Sequence, residues 1–117
     1  MIYSIKYTDD MPDHFSGQAK AWFIKIRPRC KDDQGLLEHE KVHVRQFWRT
    51  LGFHALFCLV SKRYKLAGEV EAYKEQLRWP PATTNVDLFR QYYAEFIADQ
   101  DRYGLDISVS EAYELLK

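Results

Sequence analysis

Apolar side chains return at helical intervals between residues 36 and 51. Leu36, Leu37, Val44, Phe47, Trp48 and Leu51 fall on one broad stripe, which predicts an amphipathic helix. Asp32 and Asp33 stand just ahead of it, where the positive end of a helix favours acidic groups, and Gly52 supplies a stop. Upstream, Ile2-Tyr3-Ser4-Ile5-Lys6-Tyr7 alternates weakly and is rich in strand formers, so a strand is expected there. Thr8 to Gly17 has the Asp, Pro, Ser and Gly content of a loop. Ala19 to Arg29 reads as a second strand, with Pro28 suited to its end. The two strands are expected to pair antiparallel and cover one side of the helix.

Downstream, Phe53 to Val60 is apolar nearly all round, which predicts a short buried helix. Ser61 to Lys65 is a polar break or a basic extension of it. Leu66 to Trp79 reads as the next helix, stopped by Pro80-Pro81. Thr83, Thr84 and Asn85 offer an N-cap for a long helix from about Val86 to Arg102. Its Phe89, Tyr92, Tyr93, Phe96, Ile97 and Tyr103 keep helical spacing, and Gly104 ends it. Ser108-Val109-Ser110-Glu111 is a capping-box pattern for a last short helix through Leu116. The class is therefore α+β and mainly α: a small N-terminal hairpin or sheet on the 36–51 helix, then three to four further helices. One domain over residues 1–117 is expected.

Composition narrows the partners. Hydrophobic residues make up 46% of the 117 and aromatics 15%, enough for a core and too many for a disordered chain. The net charge is 0, which argues against a general nucleic-acid binder. The charge is uneven: residues 1–68 hold 12 Lys/Arg and 7 Asp/Glu, residues 69–117 hold 5 and 10. Two halves that attract across one fold account for that. Arg45, Arg49, Lys62, Arg63 and Lys65 read as a solvated basic face, and Trp22, Trp48 and Trp79 as core or cleft residues. Cys30 and Cys58 have no CxxC spacing and are expected as free thiols. No signal-peptide core opens the chain, and the longest apolar run, Ala55 to Val60, is too short for a bilayer. A cytoplasmic monomer without a membrane or nucleic-acid partner is expected.

The chemistry lies in His39-Glu40-Lys41-Val42-His43. Histidines four apart stand one turn above each other on the same helix face. Both imidazoles can reach one tetrahedral Zn²⁺. Glu40 lies beside them as a general base that is not a ligand. A catalytic zinc usually has a third protein ligand and an open position. His54 lies in a run read as buried and is expected as a core or pocket histidine. Ala67 to Tyr73 is the better source, and it holds two candidates, Glu69 and Glu71. Positions i and i+2 lie roughly 200° apart on a helix, so only one of them can point at the ion. Gln46 follows His43 by three residues, a spacing that can reach the site or the layer behind it.

HExxH followed by a helix bearing Glu69-Val70-Glu71-Ala72 resembles the gluzincin metallopeptidases, in which the glutamate of Glu-x-x-Ala is the third ligand. The family often has Asp after that alanine; this chain has Tyr73. More broadly, residues 20–117 resemble small zincin-like proteins of phages and prophages. The resemblance implies a minimal zincin-like core, one Zn²⁺ per chain and hydrolysis of a peptide or protein substrate. It also implies a substrate strand pairing with the edge strand near Ala21–Arg27, and the host cytoplasm as compartment for a phage-encoded chain. Tyr73 and His54 are candidate second-layer or oxyanion residues, with Tyr92 and Tyr93 further candidates for the oxyanion. The alternative is a zincin-fold zinc-binding or protein-interaction module with little or no catalysis.

Overall fold

The computed structural model describes residues 1–80 and 85–117. The fold is α+β and mainly helical, with a small N-terminal sheet and five α-helices among the described residues. The sheet is not the expected hairpin. β1 (Ser4–Tyr7) pairs parallel to β3 (Phe23–Ile26), and β2 (Gly17–Lys20) pairs antiparallel to it, so the order is β1-β3-β2. The stretch Ala19–Arg29, read as one strand, contains the end of β2, a tight turn and β3. Ala21 takes a φ of 53° there, and that left-handed residue reverses the chain within the turn. Residues 8–16 carry the chain from β1 round to β2. Arg27, 6% exposed, pins this loop. Its Nε donates to the Phe15 carbonyl at 2.7 Å, and its terminal nitrogens donate to the Pro12 carbonyl at 2.9 Å and the Asp9 carboxylate at 3.1 Å.

α1 (Gln34–Arg49) starts at Asp33, whose side chain accepts from the Leu36 N–H at 3.0 Å. It ends where Leu51 and Gly52 take φ of 54° and 89°. Two of its stripes are buried. Leu36, Glu40 and Val44 face the sheet, where Leu36 and Val44 join Ile24 and Ile26 in one core. Gly35, His39, His43 and Gln46 face α3 (Lys62–Leu77). α3 begins at Lys62 rather than Leu66, because the Ser61 hydroxyl caps it by accepting from the Tyr64 N–H at 3.1 Å. Its buried Gly68 and Ala72 let it approach α1 closely; a Cβ on Gly68 would sit 3.4 Å from the Gln46 amide.

The other face of α3 carries Tyr73 into a second core with Tyr93, Ala94, Ile97, Leu105, Ala112 and Leu116. These come from α4 (Val86–Ala98), α5 (Val109–Leu115) and the adjoining turns. Asn85 caps α4, accepting from the Asp87 N–H at 2.9 Å; Thr83, Thr84 and Pro81 lie outside the described residues. α4 stops at Ala98, not Arg102, so Arg102 and Tyr103 belong to the turn that Gly104 closes at a φ of 62°. Ser108 caps α5, accepting from the Glu111 N–H at 3.1 Å.

α2 (His54–Val60) is not the buried helix its composition suggested: none of its seven residues is buried. Leu59 is 83% exposed and Val60 71%. A short helix at the edge of α1 and α3 half-buries only the stripe that faces them, here His54 and Cys58, whatever the rest of its sequence. Trp22, Trp48 and Trp79 are also partly exposed, and Trp22 stacks on Trp48 with ring centroids 5.9 Å apart. Cys30 and Cys58 are free thiols. Among the described residues no helix is long and apolar enough to cross a membrane.

Two substitutions separate these environments. Ile97→Ala in the second core is expected to cost about 2–5 kcal/mol, and Leu59→Ser on α2 less than about 0.5 kcal/mol. Urea unfolding of both variants reads the contrast; equal losses would mean that α2 is buried after all.

Candidate metal centre

The centre forms where α1 crosses α3. His39 and His43 stack along one face of α1, their Nε2 atoms 3.2 Å apart. Glu69 reaches in from α3: its Oε1 lies 3.4 Å from His43 Nε2 and 3.9 Å from His39 Nε2. A tetrahedral ion with bonds of about 2.0–2.2 Å holds its donors roughly 3.3–3.6 Å apart, and the three separations here, 3.2, 3.4 and 3.9 Å, bracket that spread closely enough for small side-chain shifts to meet it. The His39–His43–Glu69 group can therefore hold a metal ion. The polar balance supports the fit. Glu69 Oε1 is buried with no hydrogen-bond donor. An enclosed carboxylate oxygen without a donor is costly, and an ion would supply its partner.

Behind His43 stands Gln46. Its Oε1 meets His43 Nδ1 at 2.9 Å, while its Nε2 donates to the Gly68 carbonyl at 3.1 Å and to Glu71 Oε1 at 2.7 Å. With its amide nitrogen committed to two acceptors, Gln46 must accept from His43 Nδ1–H, which leaves Nε2 to face the triad. Glu71, the alternative third ligand, is thus turned away from the histidines. It accepts from Gln46 and, at 3.2 Å, from Arg49, the outcome expected of a residue two places past Glu69.

Tyr73 lies edge-on to the His39 ring, centroids 4.4 Å apart, and its hydroxyl pairs with that of Tyr103 at 2.8 Å. Its ring packs the site, and one of the two hydroxyls donates to the other. His39 Nδ1 has no formed hydrogen bond; Gln76 stands near enough to favour its charged form weakly. His54 is outside the triad. Its Nδ1 meets the Tyr64 hydroxyl at 2.9 Å, its ring centre is 6.3 Å from that of His43, and it lines the cleft wall. Tyr92 points to solvent and Tyr93 lies in the second core, lining the cleft.

Glu40, 4% exposed, lies against the sheet beside the triad, its Oε1 4.0 Å from His39 Nε2. Gly17 of β2 makes that possible, since a Cβ there would lie 3.4 Å from the Glu40 side chain. Both residues line a cleft of about 680 Å³, with β2 along one side and Tyr103 and Arg102 on another. β2 is an edge of the sheet; β3, the strand expected to meet a substrate, is central and has both sides paired. Sequence reasoning missed Tyr103, which was grouped with apolar helix positions, and saw only the spacing of Gln46.

Charge follows burial. Desolvation pushes the Glu40 carboxyl up to about 7, with Glu69 adding to the shift and His43 opposing it. Desolvation, with positive His43 adjacent, drives His39 down to about 3. For His43 burial acts downward, but Glu69, Glu40 and Gln46 outweigh it and raise the imidazole well above its usual value. The same pairing holds Glu69 below the usual carboxylate range against its own burial.

No family model, curated protein or solved structure matches the chain.

Two outcomes follow. An ion must displace the proton of His43, so binding should release about one proton and tighten about tenfold per pH unit. This holds below the raised value, where the imidazole of the metal-free protein is still protonated. Calorimetry in buffers of different ionisation heat checks it; binding without proton release would contradict the charge assignment. Gln46→Ala should weaken metal affinity about 10–100-fold, read by competition with a coloured chelator.

Proposed function

We propose that the chain is a zinc-dependent peptidase with a minimal zincin-like core, whose ion is held by His39, His43 and Glu69. The observation that carries this reading is the division of labour among three acids. Glu69 meets both imidazoles, Glu71 is engaged elsewhere, and Glu40 lies beside the triad against the sheet. Nitrogen and oxygen donors in a tetrahedral spread suit Zn²⁺. When bound, Zn²⁺ supplies a Lewis acid that acidifies water and polarises a carbonyl. Glu40, beside the triad, would act as the base for an attacking water and then as the acid for the leaving nitrogen. Burial, which raises the proton affinity of the Glu40 carboxyl, favours both roles. The outer edge of β2 offers unpaired backbone groups along the cleft, so an extended peptide binds there by strand addition.

A second reading, a zinc-binding module without turnover, draws on one observation. The phenols nearest the triad, Tyr73 and Tyr103, share one hydrogen bond, so only one of their two O–H groups is left to donate, and Tyr103 also stands near enough to Glu69 to favour its charged form, which competes with donation to an oxyanion.

The readings separate on one comparison. Zinc-loaded wild type is expected to cleave members of a broad peptide library, and Glu40→Gln to keep one zinc per chain while losing at least about 100-fold in turnover. Undiminished cleavage by Glu40→Gln would overturn the mechanism, and zinc uptake without any cleavage would favour the second reading.

A further inference from the structure

We propose that Arg102 forms a carboxylate-binding subsite in the cleft of the metal centre, selecting peptides that carry a negative charge near the reacting bond. The described arginines fall into three groups. Arg27 is buried and fully engaged, and Arg49, Arg78 and Arg90 each pair with a carboxylate. Arg29, Arg45 and Arg63 are exposed to water. Arg102 is half-buried, yet among the described residues its guanidinium makes neither an ion pair nor a hydrogen bond. Its Nε is enclosed without a partner. The terminal nitrogens also lack partners but are not enclosed in that way, and Arg102 is one of the residues that line the cleft.

The guanidinium is held in place without being neutralised. Its centre lies 4.6 Å from the Phe96 ring centre and 5.6 Å from that of Phe15, so α4 and the loop before β2 clamp it from two elements. Such a clamp removes side-chain freedom in advance and leaves a planar fork, the geometry that takes a carboxylate in two hydrogen bonds. The acidic residues lining the cleft are otherwise employed: Asp33 caps α1, Glu69 faces the histidines and Glu40 lies against β2. Lys20, at the end of β2 on the same cleft, adds a second cation. A residue retained only to fill the space between two phenyl rings would do better without an enclosed, unpaired donor. The anion is a peptide carboxylate, from an Asp or Glu side chain or from a C-terminus. That this peptide is a substrate rests on the peptidase reading; that the cleft binds it does not.

The test needs no turnover. The full chain, zinc-free and zinc-loaded, is titrated by NMR with acetyl-Ala-Glu-Ala-amide, acetyl-Ala-Gln-Ala-amide and acetyl-Ala-Gln-Ala as the free acid. At least one of the two acidic peptides should bind about tenfold or more tightly than the neutral one, and which one does identifies the source of the carboxylate. Arg102→Met, which keeps the space between the rings filled, should bring all three within about twofold, and Arg102→Lys should restore part of the preference. Equal binding of the three by wild type, including no measurable binding of any, overturns the subsite, as does a preference that survives in Arg102→Met. Charge preference in a zinc-loaded chain that cleaves nothing would leave the subsite standing while removing the peptidase reading.

Discussion

The crossing of α1 and α3 is the constraint on which the site depends. Gly68 and Ala72 remove side-chain bulk at that crossing, and Gln46 of α1 occupies the space against Gly68. The approach brings a carboxylate from one helix to two imidazoles from the other, with all three side chains largely buried. In such a place charges interact strongly and unpartnered polar atoms are expensive. The arrangement is poor as a stabilising core and well suited to an ion. Gln46 links the two roles, since its amide touches the Gly68 backbone and the His43 ring at once.

Each side of this crossing is anchored by its own apolar cluster. On the sheet side, Ile24, Ile26, Leu36 and Val44 fix the rotation of α1. That rotation sends Glu40 under β2 and leaves His39 and His43 toward α3. On the far side, Tyr73, Tyr93 and Ile97 seat α3 on α4 and α5, and Lys65 holds the Tyr103 carbonyl at 2.7 Å. The cleft is what remains between these two clusters. Its walls therefore come from elements distant in sequence: the loop and strand at residues 14–20, and the turn after α4.

What could be read from the sequence follows from this division. Local periodicity and capping residues gave α1, α4 and α5 to within a few positions, since Asp33, Asn85 and Ser108 act over a few residues. The histidine pair was legible because helical spacing decides which side chains share a face; spacing left Glu69 and Glu71 as rivals, and Glu69 was singled out by its likeness to Glu-x-x-Ala. The sheet order was not, because a two-residue turn at Ala21 leaves no glycine signal and parallel pairing of β1 with β3 is a long-range choice. The exposure of α2 was missed because composition says what a helix would prefer to bury, and packing says what it can. Arg102 and Tyr103 were placed in a helix that stops before them, so their meeting in the cleft was hidden.

The most direct measurement is zinc stoichiometry by mass spectrometry of the native complex for tag-free wild type, His39→Ala, Glu69→Ala and Glu71→Ala. One ion in wild type and in Glu71→Ala, with loss in His39→Ala and Glu69→Ala, is the predicted result. A metal-free wild type, or a Glu69→Ala protein that keeps its ion while Glu71→Ala loses it, would contradict the account.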